Sequence, residues 1–183
     1  MPKEARGYSL IELLFVAAIL LVITAIAVPR FLRTKYSANE ASAANSLKQI
    51  ASANINYYTR FNQGYAGTLA QLGPPSAGCA DASADCADLL DGVVSGVALG
   101  LAVPIKSGYS FTYYAPDANP SPTTPNNTYA VVATPVMPGN SGDSTFCVDN
   151  RGQVLRDKSG TVATADPSGC AASWPVGGDI GPI

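Results

Sequence analysis

From Tyr8 to Val28 the chain runs twenty-one residues with a single side chain charged at neutral pH, Glu12. As a helix rising about 1.5 Å per residue, that run would span roughly 31 Å, close to the hydrocarbon thickness of a bilayer. The pattern then changes. Ala43, Ala44, Leu47, Ile50, Ala51, Asn54, Tyr58 and Phe61 fall on the three-and-four spacing of one helical face, and Asn54 is its one polar member. This predicts an amphipathic helix packed on the rest of the protein. Pro29 stands between the two patterns. It removes a helix donor and crowds the preceding turn, and because helical periodicity resumes beyond it, a kink is expected there. From Tyr8 to about Asn62 the helix would be roughly 80 Å long, with Gly64 and Gly67 ending it.

Beyond the helix the pattern turns to loops and strands. Asp88 to Val103 is rich in Leu, Val and Gly without alternation and reads as part short helix, part loop. Tyr109–Tyr114 alternates and is aromatic, which predicts a strand. Ala115 to Asn127 holds four prolines and reads as a loop. Tyr129–Thr134 and Ser144–Val148 are two further strands. Asp149-Asn150-Arg151-Gly152 is a turn, and Gln153–Arg156 returns as a fourth strand. Asp157 to Ile183 reads mostly as coil, pinned by Cys170 and Trp174. The expected fold class is α+β, a long helix on an antiparallel sheet of about four strands. The chain divides into a polar leader (1–7), an apolar helix (8–28), its amphipathic continuation (29–62) and a globular head (63–183).

Composition narrows the class. Charged residues make up 13 % of the chain and net charge is −2. Without Lys3, Glu4 and Arg6 of the leader, nine basic and twelve acidic residues remain, a balance of −3. That offers no electrostatic case for nucleic-acid binding by the bulk protein. Cys79, Cys86, Cys147 and Cys170 all lie beyond the apolar run. An even count in an exported chain reads as disulfides. Three connectivities are open, and pairing Cys79 with Cys86 and Cys147 with Cys170 closes the shortest loops. Zinc ligation is disfavoured, since there is no Cys-x-x-Cys pair and no histidine.

The leader gives the apolar run its meaning. A secretory peptide places its small cleavage residue after the apolar region. Here Gly7 precedes it, and Tyr8-Ser9-Leu10-Ile11-Glu12 comes next. In this register the chain resembles the type IV pilins and the pseudopilins of type II secretion. Tyr8 stands where Phe is commonest in that family. The resemblance implies cleavage of the Gly7–Tyr8 bond by a membrane prepilin peptidase, N-methylation of the Tyr8 amine, and a lollipop-shaped fold. It implies that Glu12, costly in lipid, pairs with the Tyr8 amine of a neighbouring copy and sets register. It implies a bacterial inner-membrane, single-pass precursor, extracted by a platform with a cytoplasmic ATPase into a homo-oligomeric helical filament outside the cell, or into a periplasmic pseudopilus. It also matches a kink at Pro29 and a C-terminal disulfide staple.

Arg30, Arg33 and Lys35 stand just past the apolar run, and the positive-inside rule alone would put the C-terminal side in the cytoplasm. The cysteines and the resemblance put it outside, leaving these cations to meet acidic groups of neighbouring copies or lipid phosphates.

Other classes fare worse. With no histidine there is no Ser-His-Asp triad and no histidine general base, so an enzyme is not expected. Gly139-Asn140-Ser141-Gly142-Asp143-Ser144 reads as a turn rather than a serine-nucleophile loop. Asp143, Asp149, Asp157 and Asp166 are candidate calcium ligands by analogy with major pseudopilins, but their spacing is no calcium loop and acidic turn residues explain them better. Asn126-Asn127-Thr128 is a glycosylation triplet. A membrane-anchored binding module would account for the apolar run and leave Gly7 and Glu12 without a reason.

Overall fold

The computed structural model describes residues 8–158, 165–170 and 181–182. Leader residue Gly7, on the far side of the expected cut, and Trp174 lie outside them. The chain separates into two compact units, dividing between Lys35 and Tyr36. One helix, α1 (Leu10–Phe61), supplies the first unit and enters the second. It continues through Pro29 as one helix.

Within the second unit α1 buries Ala43, Ala44, Ser46, Leu47, Ile50, Ala51, Ala53, Asn54 and Tyr57. The expected stripe holds through Asn54 and again at Phe61, which is half-buried against the core, and differs only at Tyr58. Tyr57 is fully buried, whereas Tyr58 is 46 % exposed. The buried Tyr57 hydroxyl donates to the Ala84 carbonyl at 2.8 Å. The helix ends where Asn62 and Gly64 take left-handed backbone, φ 52° and 79°. Gly64 is required there twice over, because a Cβ would fall 2.1 Å from the Asn126 carbonyl oxygen.

Helix α1 faces a six-stranded antiparallel sheet in sequential order: β1 (Ile105–Lys106), β2 (Tyr109–Tyr114), β3 (Ala130–Pro135), β4 (Thr145–Asp149), β5 (Leu155–Asp157) and β6 (Gly181–Pro182). The four expected strands are β2 to β5. Two edge strands of two residues each, too short to leave a periodic signal, extend that sheet on either side. A four-residue helix, α2 (Leu69–Leu72), and a 3-10 turn (Val97–Leu99) lie between α1 and the sheet in sequence.

Both faces of the sheet are covered, which is why β4 is buried at every position instead of alternating. One face, with Tyr109, Phe111, Val131, Ala133, Phe146 and Val148, joins the α1 stripe in the main core. The other holds Ala130, Val132 and Cys147 under Ala165 and Cys170. Cys147 is disulfide-bonded to Cys170, and Cys79 to Cys86.

Asn54, the polar member of the stripe, is fully buried and satisfied. Its Oδ1 accepts from the Ala66 amide at 3.3 Å and lies 2.8 Å from the Tyr113 hydroxyl, while Nδ2 donates to the Ile50 carbonyl. It ties α1 to the following loop and to β2. Buried polar groups met on all sides cost little and fix one arrangement.

Asn126 behaves in the same way. It is 1 % exposed, its Nδ2 donates to the Asp117 carbonyl at 2.7 Å, and its Oδ1 accepts from the Asp117 amide at 3.0 Å. The triplet that begins with it is a structural staple, closed to glycosylation in the folded head.

Burial raises the phenol pKa of Tyr57 to about 12, with the Asp85 charge adding to it. Tyr65, Tyr109, Tyr113 and Tyr129 are raised as well, mainly by burial. A raised pKa means that the unfolded chain sheds these protons first. The tyrosine contribution to stability is therefore intact below pH about 10 and is lost as pH climbs toward 12. Tyrosinate absorbance followed with far-ultraviolet circular dichroism should show the buried phenols ionising together with unfolding in that window. Smooth ionisation in a still-folded head would contradict it.

Candidate functional site

In the first unit every residue from Tyr8 to Lys35 is exposed. Leu10 is 81 % exposed, Leu21 70 % and Phe31 70 %. Leu and Ala are strong helix formers, and the one hydroxyl in mid-run, Thr24 Oγ1, reaches back to the Leu20 and Leu21 carbonyl oxygens at 2.9 and 3.0 Å. With its mid-run hydroxyl and most of its backbone groups bonded within the helix, the segment is suited to lipid. It is long and apolar enough to cross a membrane. A surface so apolar is not left in water by a stable protein, so it must meet lipid or another apolar surface.

Glu12 sits in the first turn of α1. Its negative charge there complements the positive end of the helix dipole, by about 0.3–1 kcal/mol. Tyr8 precedes the helix and is 78 % exposed, four residues before Glu12. Pro29 lies at the end of the uncharged stretch, one residue before Arg30. Its missing N–H leaves the Ala25 carbonyl without its usual helical donor.

The candidate calcium ligands do not assemble. Among the described residues no three acidic or cysteine side chains gather as a metal site. Asp149 instead accepts from the Arg151 amide and, across the disulfide region, from the Cys170 amide at 3.2 Å. Asp166 closes its own turn through Ser168, whose hydrogen bonds hold that carboxyl below its usual pKa.

A cluster in the head that carries no local sequence signal centres on Glu40. Its Oε2 accepts from Arg156 Nη2 at 2.6 Å, and its Oε1 accepts from the backbone amides of Asp143 and Ser144 at 3.1 and 3.0 Å. Neighbouring Asn39 donates to the Ser141 carbonyl at 2.8 Å. Together they pin the Gly139–Ser144 turn and β5 to α1. The partners lie over 100 residues apart in sequence, which is why sequence reasoning misses them. Glu40→Ala strands two backbone donors and a guanidinium at once and should destabilise the head by about 2 kcal/mol. A lowered denaturant midpoint at constant slope would report it, and an unchanged midpoint would count against the clamp.

No curated protein and no solved structure matches the chain. One family model does, the prokaryotic N-terminal methylation motif, over residues 2–28. That stretch contains Gly7, Tyr8, Glu12 and the exposed half of α1, and the two findings together support a membrane-anchored precursor. The chain thus carries the prepilin-type methylation motif of the type IV pilins and pseudopilins.

Proposed function

We propose that the chain is a structural, non-enzymatic subunit of a type IV pilus, cut after Gly7 by prepilin peptidase, methylated at Tyr8 and assembled by packing of its N-terminal helices. The observation that carries this reading is an apolar helical run, exposed at every residue from Leu10 to Val28, that falls within the methylation motif. Outside lipid such a helix is stable only when copies bury it against one another. Within the dry core, Glu12 pairs with the Tyr8 amine of a neighbour. A pilus is favoured over a pseudopilus because the C-terminal segment is stapled to the sheet by a disulfide, which suits a fibre exposed outside the cell. Extraction from the inner membrane draws on a platform and a cytoplasmic ATPase.

The test is the intact mass of the protein in a fraction sheared from cells. A chain beginning at Tyr8 with one added methyl group is expected. The same processed chain confined to membranes would favour the pseudopilin reading, and an uncut chain would defeat both.

A further inference from the structure

A second unpartnered apolar surface lies on the head. Ala98-Leu99-Gly100-Leu101-Ala102-Val103 are six consecutive apolar residues, all exposed. Leu99 is 66 % exposed, Val103 44 % and nearby Ile105 46 %. Runs of this kind on a surface mark an interaction site. The segment is held in shape. Val94 and Ser95 anchor one end in the interior and Pro104 the other. Between them the Leu101 and Leu99 amides donate to the Gly96 carbonyl and the Ala98 amide to the Gly92 carbonyl. Gly96 is left-handed, φ 82°, and a Cβ on it would strike the Leu101 carbonyl oxygen at 2.0 Å. The backbone is thus folded so that the apolar side chains face outward.

Charge identifies the occupant. No charged residue lies between Asp91 and Lys106, and those two pair with each other at 3.6 Å. The processed chain carries a net balance of −3, so a contact between copies is favoured where it brings no like charges together. Here they can touch without opposing like charges. A helical filament also needs a heterologous contact, two unlike patches on one chain, since a self-complementary patch closes a dimer. The unlike patch is present on α1, where Ile55 is 53 % and Tyr58 46 % exposed, three residues apart on one face.

We infer that the Ala98–Val103 segment of one copy docks on the Ile55–Tyr58 face of the next copy in the filament. The inference rests on the filament reading and adds a head-to-head contact to it.

A photoreactive benzophenone amino acid placed at Leu99, and in a separate strain at Ile19, tests it in the full chain in cells. Both positions are exposed, so folding is not at stake. After irradiation the Leu99 probe should give covalent multimers of this chain, with the link on the tryptic peptide Gln49–Arg60. Ile55→Asn in the same background should reduce that adduct roughly fivefold. If Ile19 links copies while Leu99 links only lipid, another protein, its own segment in a second copy, or nothing, the docking surface is overturned and the filament reading stands. If neither position links copies, both fall.

Discussion

Replacing Glu12 with alanine is expected to leave the subunit in the membrane and remove it from fibres. A carboxylate inside an apolar span costs about 2.5–3.5 kcal/mol on insertion scales, so alanine should insert at least as well. Membrane levels of the processed chain should be unchanged or higher. Assembly should suffer, because the Tyr8 amine then enters a dry helix bundle with no counter-charge. Sheared fibre should fall at least about tenfold, the equivalent of roughly 1.4 kcal/mol per added subunit. Glu12 also sits in the first turn of α1, but that dipole contribution, about 0.3–1 kcal/mol, is too small to produce such a loss. Glu12→Gln separates the two effects further, since it keeps size and polarity and removes only the charge. It should fail like alanine if pairing is the mechanism. Normal fibre from either variant would remove Glu12 from the assembly step and revive the anchored binding module.

The features legible in the sequence are those written in local periodicity. The apolar run announced an exposed helix, the three-and-four spacing announced the buried stripe, β2 to β4 announced themselves by β-branched and aromatic runs, and β5 by the turn before it. The misses have a common cause in contacts made far along the chain. Tyr57 replaces Tyr58 in the core because the Ala84 carbonyl waits for its hydroxyl. Edge strands β1 and β6 exist only because β2 and β5 offer free ladder groups. Asn126 reads as a modification triplet until its amide is seen to be committed to Asp117. Glu40 and Arg156 carry no hint of each other in sequence. For the candidate site, the motif and span were legible because a membrane helix obeys a local rule. The apolar 98–103 segment was visible as composition, but which of its side chains face outward depended on the backbone of Gly96 and Gly100.

The second large effect concerns the covered back of the sheet. Cys147 lies in the middle of β4, between Val132 on β3 and Leu155 on β5, and its disulfide holds Cys170 and Ala165 over that face. Replacing both cysteines with serine frees a loop with a separation of 23 residues. In the chain-entropy account the loss is about 3 kcal/mol. At roughly 2–4 °C per kcal/mol for a domain of this size, Tm should drop by about 10 °C. The loss should exceed that of the Cys79/Cys86 double serine variant, whose bridge spans only 7 residues. Each of its cysteines also ends a tight turn, Ser76–Cys79 and Ser83–Cys86, held by reciprocal backbone hydrogen bonds that do not depend on the bridge. Serine hydroxyls at positions 147 and 170 would both be fully buried and add two desolvation costs, against one at the other bridge, where Cys86 is buried and Cys79 half-exposed. Thermal melts of the two variants side by side decide the matter. An equal or smaller loss at Cys147/Cys170 would mean that the C-terminal cover stays on the sheet without its covalent tie.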